Sequence, residues 1–322
     1  MSIEKIRWGI GTMNEKTNKI IEEVKKVICG KDQVIRLILE SVLAGGHVLM
    51  EDVPGVGKTT MAIAFSKTMG LDYGRVQFTP DVLPSDIVGF SMLDQETRTM
   101  KYQQGAIFHN LFLADELNRA ASRTQSALLE AMEEGHVTVD GNTYDLPKPF
   151  MVIATQNPAG SSGTSLLPDS QMDRFAIRVS MGYPSADDEI ELLANRQNGA
   201  NPLSEIQAVC TVDDIVKMQE EVSHMYVKIR VLKYIVALMG RTRNHLALAR
   251  GGSPRCTLAL TQMSKAHAYM SGRDYVIPDD VQSVFPYVIC HRMLLTPEAE
   301  VKELRPEDIA AELIKTTVIP KE

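Results

Sequence analysis

Val48-Leu49-Met50-Glu51-Asp52-Val53-Pro54-Gly55-Val56-Gly57-Lys58-Thr59-Thr60 joins a short apolar run, a glycine-punctuated turn and the start of a helix. This pattern is that of a phosphate-binding loop. Glycines let backbone N–H groups close around a polyphosphate, and the helix that follows points its positive end at the same anion. Lys58 is placed to reach the terminal phosphates and the Thr59 hydroxyl to hold Mg²⁺. A side chain at Gly55 or Gly57 would block the phosphates. Asp52, Val53, Pro54, Gly55, Val56, Gly57, Lys58, Thr59 and Thr60 are therefore the expected ATP-contacting residues. The usual pattern G-x-x-x-x-G-K-[ST] asks for glycine at position 52, where this chain has aspartate. Asp tolerates the left-handed backbone better than most residues, so the turn survives the departure. An incidental strand-to-helix turn is the competing explanation.

Downstream, Leu111-Phe112-Leu113-Ala114-Asp115-Glu116 is an apolar strand ending in two carboxylates, the Walker B pattern. Asp115 is expected to hold the Mg²⁺ bound to the nucleotide, and Glu116 to orient the attacking water or take its proton. Two acids capping a helix near Asn118 would be the commoner explanation without a phosphate loop upstream. A third strand, Phe150-Met151-Val152-Ile153-Ala154-Thr155, runs into Gln156-Asn157-Pro158. The carboxyl ends of parallel strands are where α/β sheets bind ligands, so Asn157 is a candidate γ-phosphate sensor, with turn formation before Pro158 as the alternative.

The chain has 322 residues, enough for two domains with a core each. Apolar residues make up 44% and charged ones 23%, ordinary for a soluble protein, and no apolar run is long enough for a membrane span. Residues 1–16 are polar and charged, without the apolar core of a secretory signal, so a cytoplasmic location is expected. Cys29, Cys210, Cys256 and Cys290 are far apart and form no C-x-x-C pair, which points to free thiols. The histidines show no metal-ligand spacing. A net charge of −7 argues against nucleic acid as the main partner.

Apolar spacing predicts two helices over 17–43 with a turn at Gly30, a helix from Lys58 to a stop at Gly70, and one over 122–134 ended by Gly135. Strand-like pieces flanking the polar 94–99, and alternation around Asp140-Gly141, predict two hairpins. With the strand that ends at Gln77-Phe78-Thr79-Pro80, a strand over 176–180 completes a five-stranded parallel sheet. Composition shifts after Tyr183-Pro184, and the remainder is expected to be helical, over 187–196, 213–222, 228–244, from 254, 278–293 and 306–317. Ser253-Pro254 supplies a helix N-cap and first position. Arg255 then lies in a first turn, where the helix dipole disfavours a cation, which suggests a local anion.

Asp115-Glu116-Leu117-Asn118-Arg119-Ala120, with Thr124-Gln125-Ser126-Ala127-Leu128-Leu129-Glu130-Ala131-Met132-Glu133-Glu134-Gly135, resembles the signature of the MoxR family of AAA+ ATPases. Gln77-Phe78-Thr79-Pro80-Asp81 followed by Pro84-Ser85-Asp86 does so too, and the resemblance runs from about Gly30 to the end of the chain. It implies a P-loop AAA+ α/β domain (1–184) followed by an all-helical lid (185–322). It also implies a hairpin before sensor 1 (135–146) and an insert in the second helix (about 84–104). Leu166-Leu167-Pro168-Asp169-Ser170-Gln171-Met172-Asp173-Arg174-Phe175 is similar to the segment that presents an arginine finger to a neighbouring subunit, which makes Arg174 the candidate. A surface ion pair is its plain alternative. Gly251-Gly252-Ser253-Pro254-Arg255 resembles sensor 2, whose arginine contacts the nucleotide phosphates; a solvated arginine is the alternative there.

These expectations combine into ATP hydrolysis with Mg²⁺ in a ring of the chain with itself, expected to be a hexamer. By resemblance alone the work is chaperone-like remodelling of protein complexes, with proteins carrying a von Willebrand factor A domain as partners. A DNA motor or clamp loader would want a basic hairpin, yet 135–146 offers only His136 as a possible cation. A non-hydrolysing nucleotide switch is disfavoured by Glu116.

Overall fold

Five parallel strands lie in the order Tyr73–Gln77, Leu111–Asp115, Met151–Gln156, Val48–Glu51 and Ile177–Val179. The computed structural model describes residues 14–157, 167–194, 197 and 201–320. Residues 1–13, Pro158, Leu166 and the end of the helix expected over 187–196 lie outside them. The chain leaves Val48–Glu51 through the helix Lys58–Thr68 and returns at the far edge of the sheet. The two strands between are filled in later. Such a crossover leaves a crevice beyond the strands' carboxyl ends.

The strands are apolar on both faces because helices cover both. Val48, Met50, Leu111, Leu113, Met151 and Ile153 face one apolar cluster. Leu49, Phe112, Ala114, Val152 and Ala154 face the other, packed with Phe78, Leu128 and Phe175. The first cluster is continuous from the helices Glu15–Lys25 and Asp32–Leu43, across the sheet, into the lid helices Val212–Ser223, Ile229–Arg243, Pro254–Met270 and Pro278–Ile289. Lid and N-terminal helices also bond directly: Gln219 Nε2 donates to Val42 O at 2.7 Å.

Both hairpins form, pairing Gly89–Leu93 with Met100–Gln104 and His136–Val139 with Asn142–Asp145. Tyr102 and Tyr144 stack across them at 3.9 Å between ring centroids. Among the described residues the carboxyl-terminal part is helical apart from a short antiparallel pair between Leu248–Arg250 and Leu294–Leu295 and an isolated bridge between Tyr226 and Tyr275. Segments of two and three residues carry too little periodicity to show in a sequence. No helix among the described residues is long and apolar enough to cross a membrane.

His47 ties the amino-terminal edge of the sheet together. Its Nδ1 accepts from Val152 N at 3.0 Å, so Nε2 carries the proton and donates to Met132 O at 3.0 Å. Burial holds the imidazole down at about 4, and burial together with the Arg292 and Arg178 charges holds His291 well below the usual range. The folded protein therefore takes up these protons less readily than the unfolded chain. The stability they contribute is complete above the ordinary histidine value and is lost as the pH falls through it. For His47 alone the loss between pH 7 and pH 4.5 should be about 2.5 kcal/mol. Denaturant unfolding across that range should fall more steeply for the wild type than for His47→Gln. Equal slopes would contradict the assignment.

Candidate active site

Gly55 and Gly57 take φ of +87° and +100°, and no neighbour would touch a Cβ at Gly55 within 4 Å. Backbone conformation therefore demands glycine here, and the space beyond it is left clear for a ligand. Lys58 opens the helix Lys58–Thr68 and is buried, its Nζ donating to Asp52 O at 2.6 Å and Val53 O at 3.2 Å. Burial lowers the Lys58 pKa, opposed by the charges of Asp52, Asp115 and Glu116. An ammonium held this way, on carbonyls of its own loop, is poised to exchange them for phosphate oxygens. The Thr59 hydroxyl makes no hydrogen bond to any described residue, although helical threonines often bond the preceding turn. Clear space beside the glycines, a desolvated cation and a free hydroxyl fit a magnesium–nucleotide.

Asp52 has a further job that the sequence did not suggest. Its buried carboxylate accepts from Ser180 Oγ at 2.7 Å, Met181 N at 2.6 Å and Gly182 N at 2.9 Å. The loop is thereby pinned to the end of the neighbouring strand Ile177–Val179. The side chain that replaces the motif's first glycine anchors the loop, and only the Asp52 carbonyl faces Lys58.

The Walker B strand ends beside it. Asp115 is buried and accepts from Thr155 Oγ1 at 2.7 Å and from Arg75 Nη2 at 2.8 Å. Glu116 takes a left-handed backbone, φ 56° and ψ 44°. That conformation costs a side-chain-bearing residue about 1 kcal/mol or more and is concentrated at functional sites. Thr155 Oγ1 also accepts from Glu116 N at 2.8 Å, so one hydroxyl organises both acids. The Glu116 carboxylate accepts from Arg119 Nη1 at 2.6 Å and stands 3.5 Å from Asn157 Nδ2. Thr155 and Arg75 were missed by the motif reading, and Arg119 was quoted there within the signature run without its carboxylate partner. Thr155 alone had a signal, as a hydroxyl in the strand that ends at Asn157.

Arg174 and Arg255 are brought together, but not at the phosphate loop. Arg174 Nη1 donates to Leu129 O at 2.6 Å and lies 2.8 Å from Glu133 Oε2; Arg255 Nη2 pairs with Glu133 Oε1. The anion implied by a cation in a first helical turn is Glu133. A cavity of about 250 Å³ here is lined by Gly45, His47, Glu133, Arg174 and Arg255 among others. His47 precedes the strand Val48–Glu51, whose other end leads into the loop of Lys58, so the two arginines lie at the opposite end of the sheet from that loop.

Residues 47–177 match the model of the ATPase family associated with various cellular activities, and 240–313 match the AAA lid domain. The chain is 37% identical to Chaperone MoxR1 of Mycobacterium tuberculosis, covering 97% of this chain and 85% of that protein. The chain belongs to the MoxR family of AAA+ ATPases. This MoxR-family chain is also 44% identical to the protein YeaC of Bacillus subtilis over 94% of both chains. A crystal structure of a Cytophaga hutchinsonii protein superposes on it with a TM-score of 0.88 at 35% identity, over 95% of both chains.

Asp52→Gly restores the usual loop pattern but removes three accepted hydrogen bonds, and should cost about 2 to 4 kcal/mol of stability. Nucleotide affinity should fall much less than in Lys58→Ala. Unchanged unfolding with lost ATP binding would instead put the Asp52 carboxylate at the phosphates.

Proposed function

We propose that the chain hydrolyses ATP in a ring of its own copies, each nucleotide lying between the phosphate loop of one copy and Arg174 and Arg255 of the next. One observation carries this function. Lys58, Asp115, Glu116 and Asn157 cluster at one edge of the sheet, while the two arginines that would complete the charge balance stand together at the other. Arg174, fixed where the chain enters the strand Ile177–Val179, cannot reach its own phosphate loop without dismantling the core. Residues 1–184 form the proposed nucleotide-binding unit and 185–322 the lid.

Thr59 and Asp115 are the residues to hold Mg²⁺, which would supply charge neutralisation on the β- and γ-phosphates. Glu116 orients water for in-line attack and accepts its proton, and Asn157 fixes the Glu116 carboxylate. Lys58 from one copy and the arginines of the next counter the charge that spreads over the γ-phosphate oxygens. Arg119 holds Glu116 on its other side and must release it when the water arrives. We further propose chaperone-like remodelling of partner proteins, in keeping with a relative named Chaperone MoxR1. A cytoplasmic hexamer working with a partner that carries a von Willebrand factor A domain is the form the family resemblance favours. Net charge and the poorly basic 135–146 hairpin weigh against a DNA motor.

Lys58→Ala should lose nucleotide binding, whereas Glu116→Gln should keep binding and lose turnover. Equilibrium nucleotide titration and phosphate release separate the two, and wild-type turnover by Glu116→Gln would remove Glu116 from its role. An arginine finger contributes roughly 10³ to 10⁵ in rate, about 4 to 7 kcal/mol, so Arg174→Ala should be almost inactive with ATP affinity intact. Co-assembly of Arg174→Ala with Glu116→Gln should restore activity at interfaces that combine the two intact halves. Arg174→Ala rings with wild-type turnover would exclude the finger. DNA should neither bind tightly nor stimulate hydrolysis; binding with a steep salt dependence and faster turnover would favour the motor.

A further inference from the structure

Glu133 occupies the last turn of the helix Ser122–Glu134, where a carboxylate faces the negative end of the helix dipole. Such a position is unfavourable without cations. Glu133 has two, each on its own oxygen: Arg174 on Oε2 at 2.8 Å and Arg255 on Oε1. They come from separate parts of the chain, Arg174 from the segment leading into the strand Ile177–Val179 and Arg255 from the first turn of the lid helix Pro254–Met270. The same two parts are tied once more next door. Asp173 accepts from Ser253 Oγ, the cap of that lid helix, at 2.8 Å, and from Arg292 Nε at 2.6 Å.

Two guanidinium groups drawn to one point repel each other, and the shared carboxylate offsets that repulsion. A guanidinium has five N–H donors in a rigid fork, so holding one carboxylate oxygen leaves each arginine with donors to spare for a phosphate. Glu133, Arg174 and Arg255 remain partly exposed beside the cavity, so those donors are accessible.

We propose that Glu133 is a positioning residue that holds Arg174 and Arg255 as one cationic pair, so that both reach the neighbouring copy's nucleotide together. This rests on the function proposed above for the two arginines. Glu133 itself touches no nucleotide. The carboxylate charge is the essential property: Glu133→Gln keeps the size and an acceptor but leaves the cations opposed. Glu133→Asp keeps the charge on a shorter stem.

Turnover and nucleotide affinity of assembled Glu133→Gln test the inference. Misplacing groups by about an ångström costs on the order of 100-fold in rate, so kcat should drop by about 10- to 100-fold while ATP affinity stays that of the wild type. Glu133→Asp should recover part of the loss. In an Arg174→Ala, Arg255→Ala background, Glu133→Gln should cost little more, because the groups it positions are gone. Co-assembly with Lys58→Ala should restore hydrolysis, since that copy donates a correctly held pair to the intact phosphate loop of Glu133→Gln. Wild-type kcat in Glu133→Gln, with Arg174→Ala inactive, would overturn the positioning role alone. Lost activity that Lys58→Ala cannot restore would overturn it too, because the defect would then lie within the copy's own site. Wild-type turnover in both Arg174→Ala and Arg255→Ala would instead overturn the shared site on which the inference rests.

Discussion

Every strand of the central sheet points the same way, and this polarity constrains everything else. Parallel strands collect their carboxyl ends at one edge, and the helices between them return to the other. Residues that follow a strand, such as Lys58, Glu116 and Asn157, must gather at the first edge. Residues that precede a strand or end a returning helix, such as Arg174 and Glu133, must gather at the second. The separation of the phosphate loop from Arg174 is therefore a property of the topology, and no side-chain rearrangement removes it. In the proposed mechanism, a site that needs both is completed by another copy.

Within that frame, short polar contacts convert a general fold into a specific site. Asp52 secures the phosphate loop to the end of Ile177–Val179, and the Thr155 hydroxyl joins Asp115 to the backbone of Glu116. At the opposite edge the neutral His47 links Val152 to Met132, one residue before Glu133. Each of these groups is buried or half-buried, where an unsatisfied partner costs about 1 to 3 kcal/mol. Local geometry at both edges is thus held by groups that cannot be lost singly without a measurable penalty.

Much of this was legible in the sequence because it is written in periodicity and in residues with restricted backbone freedom. The apolar strands, both hairpins, the capped lid helix at Ser253 and the left-handed glycines all follow from local rules. Asp52 stood out as a departure from the loop pattern, but its partners are 128 to 130 residues away, and no local rule reaches that far. Arg255 in a first helical turn signalled an anion without saying which, and Glu133 lies 122 positions from it. Likewise the short strand pair at Leu248–Arg250 is set by what it packs against rather than by its own two or three residues. Tertiary partnership, not propensity, decided each of these.

The arginine pair and the carboxylates of the catalytic edge describe two halves of one charge distribution. Under the proposed mechanism, hydrolysis of ATP needs both halves around the γ-phosphate at once, so the isolated chain should be close to inert and its activity should appear with assembly. The most direct measurement is the ATPase rate per chain as a function of protein concentration, with the assembly state followed in the same samples. The rate per chain should climb as rings form and level off once assembly is complete. A rate per chain that is already maximal where the protein is monomeric would contradict the shared site.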